Sequence, residues 1–178
     1  MEHIKLKGIF LKNHPEVNEK WVQEIISADP SILRLGDLRL IDKERIQPKA
    51  GRLDLLLQDQ ELESSKRYTV EIQLGASDES HIIRTLEYWD IERKRYPQYD
   101  HVGVLVAEDI TSRFLNVISL FNSAIPLIAL QMNAIEIDDG IGLIFTKVLD
   151  VMPLGLIDDD EPPLEQTDRS FWETKRGT

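Results

Sequence analysis

The amino-acid sequence predicts an α/β chain: a central mixed β-sheet flanked by helices. Three observations predict this class. Residues 52–58 and 67–74 are apolar segments of strand length, each followed by a polar or glycine-bearing break. The stretch from Glu79 to Tyr96 carries apolar residues at helical spacing and stops at Pro97. Beyond it, a near-continuous apolar run at 101–107, a helical pattern at 110–122 and a second apolar run at 125–132 complete a strand–helix–strand–helix–strand order, which implies crossovers between parallel strands. With 178 residues, 42% of them hydrophobic, the chain is long enough to bury one substantial core. One domain is expected over residues 1–152. Residues 153–178 read as an acidic C-terminal tail, which Phe171 and Trp172 would alternatively anchor on this domain or on a second subunit.

In chain order, Ile9, Phe10 and Leu11 are placed against the domain. His14-Pro15-Glu16 reads as a helix start, with proline at the first helical position, and Trp21, Val22, Ile25 and Ile26 form the apolar stripe that follows. Asp29-Pro30 ends this helix, and 31–33 form a short turn. A strand is expected from Leu38 to Ile46, then a turn holding Pro48 and Gly51, then the two strands at 52–58 and 67–74 around a polar loop. Ser77 or Asp78 is the N-cap of the long helix, whose apolar face is read as Ile82, Ile83, Leu86 and Trp89. His81, Arg84, Thr85 and Tyr88 cluster on a separate face. A last strand is expected at 142–149, after the turn at Asp138-Asp139-Gly140.

The informative stretch is GRLDLLLQDQELESSKRYTVEIQLG, Gly51 to Gly75. Asp54 interrupts Leu53, Leu55, Leu56 and Leu57, and Glu71 interrupts Val70 and Ile72. Alternation puts Glu71 and Gln73 on one face and Val70, Ile72 and Leu74 on the other. A carboxylate buried in a sheet is costly unless it is paired or binds a cation. Two of them on neighbouring strands point to a shared partner, and a divalent metal is the simplest. The plainer alternative is a pair of acids satisfied by arginines such as Arg52 or Arg67.

An Asp in one strand followed by Glu-x-Lys in the next resembles the signature of the PD-(D/E)xK nuclease superfamily, here with Gln73 in the lysine position. The segment is similar to the Glu-x-Gln variants of transposon-associated recombination-promoting nucleases, and its GRLDLL opening to NucS-type endonucleases with GRIDLL-like strands. The later Arg84-x-x-x-Tyr88 also resembles those relatives. The resemblance spans roughly residues 16–107. It implies a three-layer, restriction-endonuclease-like core and Mg²⁺-dependent hydrolysis of phosphodiester bonds, with Mn²⁺ as a substitute ion. Asp54, Glu71 and the Ile72 carbonyl would be metal ligands, and Gln73 would orient the attacking water by accepting from it and donating to phosphate. Arg84 would restore the charge that the lysine supplies elsewhere; otherwise it is an ordinary helix arginine. Glu24 matches the upstream helical glutamate that binds a second metal or a metal-bound water, or is a solvent-facing helix residue; Glu16 and Glu19 are weaker candidates. Tyr88 would contact phosphate or sit with a satisfied hydroxyl at a layer boundary. His81 reads as an exposed first-turn histidine.

Charge narrows the partners. The net charge of −11 argues against a general nucleic-acid binder. Much of the acidic excess lies between Asp158 and Glu173, while the half holding the two acidic strands carries Arg34, Arg39, Arg45, Lys49, Arg52, Lys66, Arg67 and Arg93 to Arg95. That half admits phosphate contact but not strong non-specific binding. Nucleic acid, DNA first, is the partner that the resemblance implies, with a homodimer admitted. The rival expectation is a non-catalytic module that keeps the nuclease fold to bind nucleic acid or protein. No apolar run approaches the roughly 20 residues of a membrane span. There is no secretory-type leader and no cysteine, so a cytoplasmic location is expected. A glycine-rich phosphate loop and a GxSxG elbow are absent from the sequence, and its four histidines lack metal-ligand spacing.

Overall fold

The structure, a computed structural model, describes residue 3 and residues 5–61 and 65–152. The tail expected at 153–178, with Phe171 and Trp172, lies outside the described residues. The strands are β1 (Lys7–Ile9), β2 (Leu38–Gln47), β3 (Gly51–Asp59), β4 (Lys66–Ala76), β5 (Asp100–Asp109), β6 (Leu127–Ile137) and β7 (Gly140–Leu149). They form a single sheet in the order β1-β6-β5-β4-β3-β2, with β7 paired to β6. The helices are α1 (Glu19–Ala28), α2 (Glu79–Arg95) and α3 (Ser112–Asn122). The sheet is mixed: β2, β3 and β4 are antiparallel neighbours, whereas β4, β5 and β6 run parallel. Parallel neighbours need crossovers, and α2 and α3 provide them. Among the described residues no helix is long and apolar enough to cross a membrane.

The core lies on both faces of the sheet. Val22 and Ile26 of α1 pack with Leu55, Leu57, Val70, Ile72, Val104 and Val106 in the largest cluster, so Val70 and Ile72 do share the face away from Glu71. A second cluster joins Ile82 of α2 and Ile118 of α3 to Leu105, Leu127 and Ala129. A third, small cluster sets Tyr88 of α2 against Leu53 and Leu56.

Two expectations need correction. The first helix starts at Glu19 and not at Pro15. Asn18 is its N-cap, its side chain accepting from the Trp21 amide, and this satisfies an otherwise orphan donor that proline could not help. In α2 Ile82 and Trp89 are buried and Leu86 packs against the core as expected, but Ile83 does not follow and the buried face extends beyond the apolar stripe. Ile83 is 60% exposed, while His81, Thr85, Tyr88 and Glu92 are buried, a stripe at i, i+4, i+7 and i+11. Polar groups are tolerated there because most find partners. Thr85 donates to the His81 carbonyl, Tyr88 to the Ala50 carbonyl, and the Glu92 carboxylate is held by Arg45, Arg95 and Gln47. His81 is thus a fully buried residue and not the exposed first-turn histidine expected.

Candidate functional site

The site is a fork in the sheet. β3 and β4 pair regularly through Gln58↔Arg67, Leu57↔Tyr68, Leu56↔Thr69 and Leu55↔Val70, and the next rung, between Asp54 and Glu71, is missing. Side chains close the gap instead. Asp54 accepts the Ile72 amide at 2.7 Å, and Glu71 accepts the Asp54 amide at 3.2 Å through Oε1. One step further along the same edge of β4, the Leu74 amide donates to Glu19 Oε1 of α1 at 3.3 Å. Carboxylates therefore take the place of backbone carbonyls, as unpaired sheet amides require.

The fork brings the two acids together. Gln23, one turn beyond Glu19 on α1, donates Nε2 to Asp54 Oδ1 at 2.6 Å. From α2, Arg84 sets Nε 3.8 Å from Glu71 Oε2, too long for a hydrogen bond. Neither Arg52 nor Arg67 satisfies the pair. Arg52 lies 3.9 Å from Glu44, and Arg67 stacks on Tyr99 and Tyr96. Burial, together with the negative charge of Asp54, pushes the Glu71 carboxyl well above the ordinary carboxylate range, and Arg84 opposes the shift only in part. Burial raises Asp54 as well, against the Ile72 hydrogen bond. Close by, burial holds His81 down to about 4, against the Glu71 backbone, which favours the protonated ring.

Other expected residues are placed as follows. Tyr88 is 1% exposed, and its hydroxyl contacts the start of β3. Gly51 makes that approach possible: with φ at +117°, a Cβ there would stand 2.7 Å from the Tyr88 hydroxyl. Gln73 shares the Glu71 face, yet its amide donates to the Ala76 carbonyl and to Asp78, both at 3.1 Å, and no hydrogen bond joins it to either acid. Its Oε1 is buried without a partner. The structure does not bring Glu24 to the site. Glu24 is exposed and paired with Lys43 at 2.7 Å, because one residue's rotation along α1 turns it away from Gln23. Sequence reasoning passed over Gln23 and ranked Glu19 low. The usable signal was their i, i+4 spacing on the side of the helix that faces the strands.

A cavity of about 390 Å³ opens at the fork, bordered by Glu19, Lys20, Gln23, Arg52, Asp54, Arg84 and Tyr88. A larger one, about 880 Å³, lies at the other end of β4 around Tyr68, Trp89 and His101 and contains neither acid. Among the described residues no three His, Cys, Asp or Glu side chains form a metal-holding group. A hard cation that keeps several waters needs only one or two carboxylates, so the donor set still fits Mg²⁺ or Mn²⁺. Glu71, buried, and Asp54, half-buried, resist ionising together, with one arginine 3.8 Å from Glu71, and such an ion would favour their ionised forms.

No family model matches the chain, and none of the curated proteins does. Solved structures do. A chain of the EndoMS-dsDNA2 complex superposes with a TM-score of 0.51 at 18% identity, over 64% of this chain and 44% of that one. A repair endonuclease from Pyrococcus abyssi gives a TM-score of 0.49 at 18% identity, over 61% of this chain and 45% of that one. The present chain thus spans less than half the length of either. The first likeness establishes the fold: a central mixed sheet flanked by helices, as in the EndoMS structure.

Proposed function

We propose that the protein is a divalent-cation-dependent nuclease that hydrolyses phosphodiester bonds, with DNA as substrate. One observation carries the reading: Asp54 and Glu71 converge where the pairing of β3 with β4 stops, and Asp54 borders a cavity open to solvent. Asp54 and Glu71, with the Ile72 carbonyl, would hold the ion, Mg²⁺ or Mn²⁺. When bound, it would supply Lewis-acid stabilisation of the phosphate and a more acidic water.

The chain's own residues divide the remaining work. The Ile72 amide and Gln23 fix the Asp54 carboxylate, so its oxygens are set before any substrate arrives. Arg84, 43% exposed and with Nε 3.8 Å from Glu71, would reach a phosphate oxygen from the α2 side. Lys20 and Arg52 also border the cavity, where Glu19 and Glu44 offset their charge. Gln73 keeps a free carbonyl oxygen on the Glu71 face, which would accept a hydrogen from the attacking water. Tyr88 shapes the wall beside Gly51. The relative that forms an EndoMS-dsDNA2 complex supports DNA as the substrate class.

A second reading is a nuclease-fold module that binds without cleaving. The Gln73 amide, engaged with Asp78, and the net charge of −11 favour it. Cleavage of single- and double-stranded DNA and RNA in Mg²⁺, Mn²⁺ and EDTA, by wild type and Glu71→Gln, separates the two. The nuclease reading expects metal-dependent cleavage that Glu71→Gln abolishes. Binding without cleavage under every condition leaves the module.

A further inference from the structure

Gln23 carries an unexplained atom. Its side chain is 6% exposed and borders the fork cavity. The amide nitrogen must face Asp54, because the reverse orientation would press two oxygens together at 2.6 Å. That fixes the place of Oε1, which is buried and has no hydrogen-bond partner. Buried acceptors are rarely left so, and this one belongs to a side chain that borders the same cavity as Asp54, where a cation would be its partner. The backbone behind it is secured: Ser27 donates to the Gln23 carbonyl at 2.6 Å, one turn along α1.

The geometry points to Gln23 Oε1 as a third protein oxygen for the divalent ion, an inference that rests on the reading of Asp54 and Glu71 as its carboxylate ligands. The oxygens then come from three elements: α1, β3 and β4. Amide carbonyls are ordinary ligands of hard cations. A neutral donor has a physical advantage here. Asp54 and Glu71 already repel one another, and a third carboxylate would deepen that repulsion in the ion-free protein, whereas an amide adds coordination without charge. The same side chain does two jobs, with Nε2 holding Asp54 in place and Oε1 facing the ion.

Substitution separates the two atoms. Gln23→Glu keeps an oxygen and loses the donor; Gln23→Met keeps the volume and loses both. Mn²⁺ titration by calorimetry is compared among wild type, both variants and Asp54→Asn, with circular dichroism in EDTA as the folding control. The expected order is Gln23→Glu about tenfold tighter than wild type, from the added ligand charge, and Gln23→Met about tenfold weaker. If Gln23→Glu binds as poorly as Gln23→Met, the residue only positions Asp54 and the inference fails. It fails also if Gln23→Met binds like wild type. Wild type binding no better than Asp54→Asn overturns the metal site itself, a distinct result. Should either variant not fold, a crystal of wild type soaked in Mn²⁺ decides: Gln23 Oε1 lies within about 2.3 Å of the anomalous peak, or the inference is wrong.

Discussion

The Asp54 carboxylate accepts the Ile72 amide at 2.7 Å, standing where the next backbone rung of β3 would have stood. One side chain thus closes a sheet and furnishes a site, so its structural and chemical roles can be separated by substitution. Asp54→Asn keeps an oxygen for the Ile72 amide and should fold normally. Asp54→Leu leaves both that amide and Gln23 Nε2 unpaired and should cost about 2–4 kcal/mol. Urea denaturation in EDTA measures the difference. Neither variant should show the rise in melting temperature that Mn²⁺ gives wild type.

The raised Glu71 carboxyl fixes the sign of a pH effect. Burial, then the charge of Asp54, lifts it from the ordinary 4.5 to about 8. An acid that holds its proton more tightly when folded stabilises fully below its unfolded value, and that contribution is lost as pH rises through the folded one. The cleanest window is pH 6.5 to 8, since below it the buried, neutral His81 adds an opposing dependence. In EDTA, stability should fall across that window by up to about 1.4 kcal/mol per pH unit. Glu71→Gln should flatten the slope and be the more stable protein at pH 8. Saturating Mg²⁺ should flatten it in wild type too, because the ion favours the ionised form.

The fork was partly legible in the sequence and partly not. Leu53, Leu55 and Leu57 around Asp54, and Val70 and Ile72 around Glu71, read as strands because a period of two is strict and an acid in it conspicuous. The order β4, α2, β5, α3, β6 was legible for the same reason, since apolar runs and caps mark each element. The wheel of α2 places Ile82, Leu86 and Trp89 inward, as they are, and misses the rest of the buried face. Burial of His81 and Tyr88 is decided by which side of the helix meets β4 and β5, a tertiary fact that hydropathy does not carry. The upstream glutamate reads as Glu24 ahead of Glu19, and Gln23 escapes notice, because a helix's rotation about its own axis cannot be read from an apolar stripe to within one residue. A partner for Asp54 that is neither charged nor apolar leaves no mark on the pattern at all.

Arg84 is the cation set against the pair, 3.8 Å from Glu71. Arg84→Ala should slow cleavage by about one to two orders of magnitude, with the loss mainly in kcat if the guanidinium meets charge that develops on the phosphate. It should also shift the rising limb of the pH–rate profile upward, since Arg84 lowers the Glu71 carboxyl. Arg84→Lys should recover part of the rate. An unchanged pH profile in Arg84→Ala would remove Arg84 from the site.

Glu108, at the end of β5, binds the far end of the fork. Its carboxylate accepts the amides of Leu11 and Lys12 and, at 2.6 Å, that of Gly75. Glu108→Ala strands three donors and should cost about 3 kcal/mol or more in urea unfolding, whereas Glu108→Gln retains one acceptor and should cost less.

Glu19 and Glu24 sit on one helix and make opposite predictions. Glu24 is exposed and paired with Lys43, so Glu24→Ala should leave both Mn²⁺ affinity and cleavage unchanged. Glu19 caps the Leu74 amide, and its negative charge reaches both acids, raising Glu71 and Asp54 alike. Glu19→Gln keeps an acceptor for Leu74 and removes only the charge. The two acids should then titrate lower, while the ion loses a long-range attraction and binds a few-fold more weakly. Salt distinguishes this cause from direct coordination. A through-space effect at an exposed glutamate shrinks as ionic strength rises, so the gap between Glu19→Gln and wild type should narrow from 20 mM to 500 mM NaCl. A gap that stays constant would mean that Glu19 touches the ion, and an effect of Glu24→Ala as large as that of Glu19→Gln would mean that α1 is rotated from the orientation that brings Gln23 to Asp54.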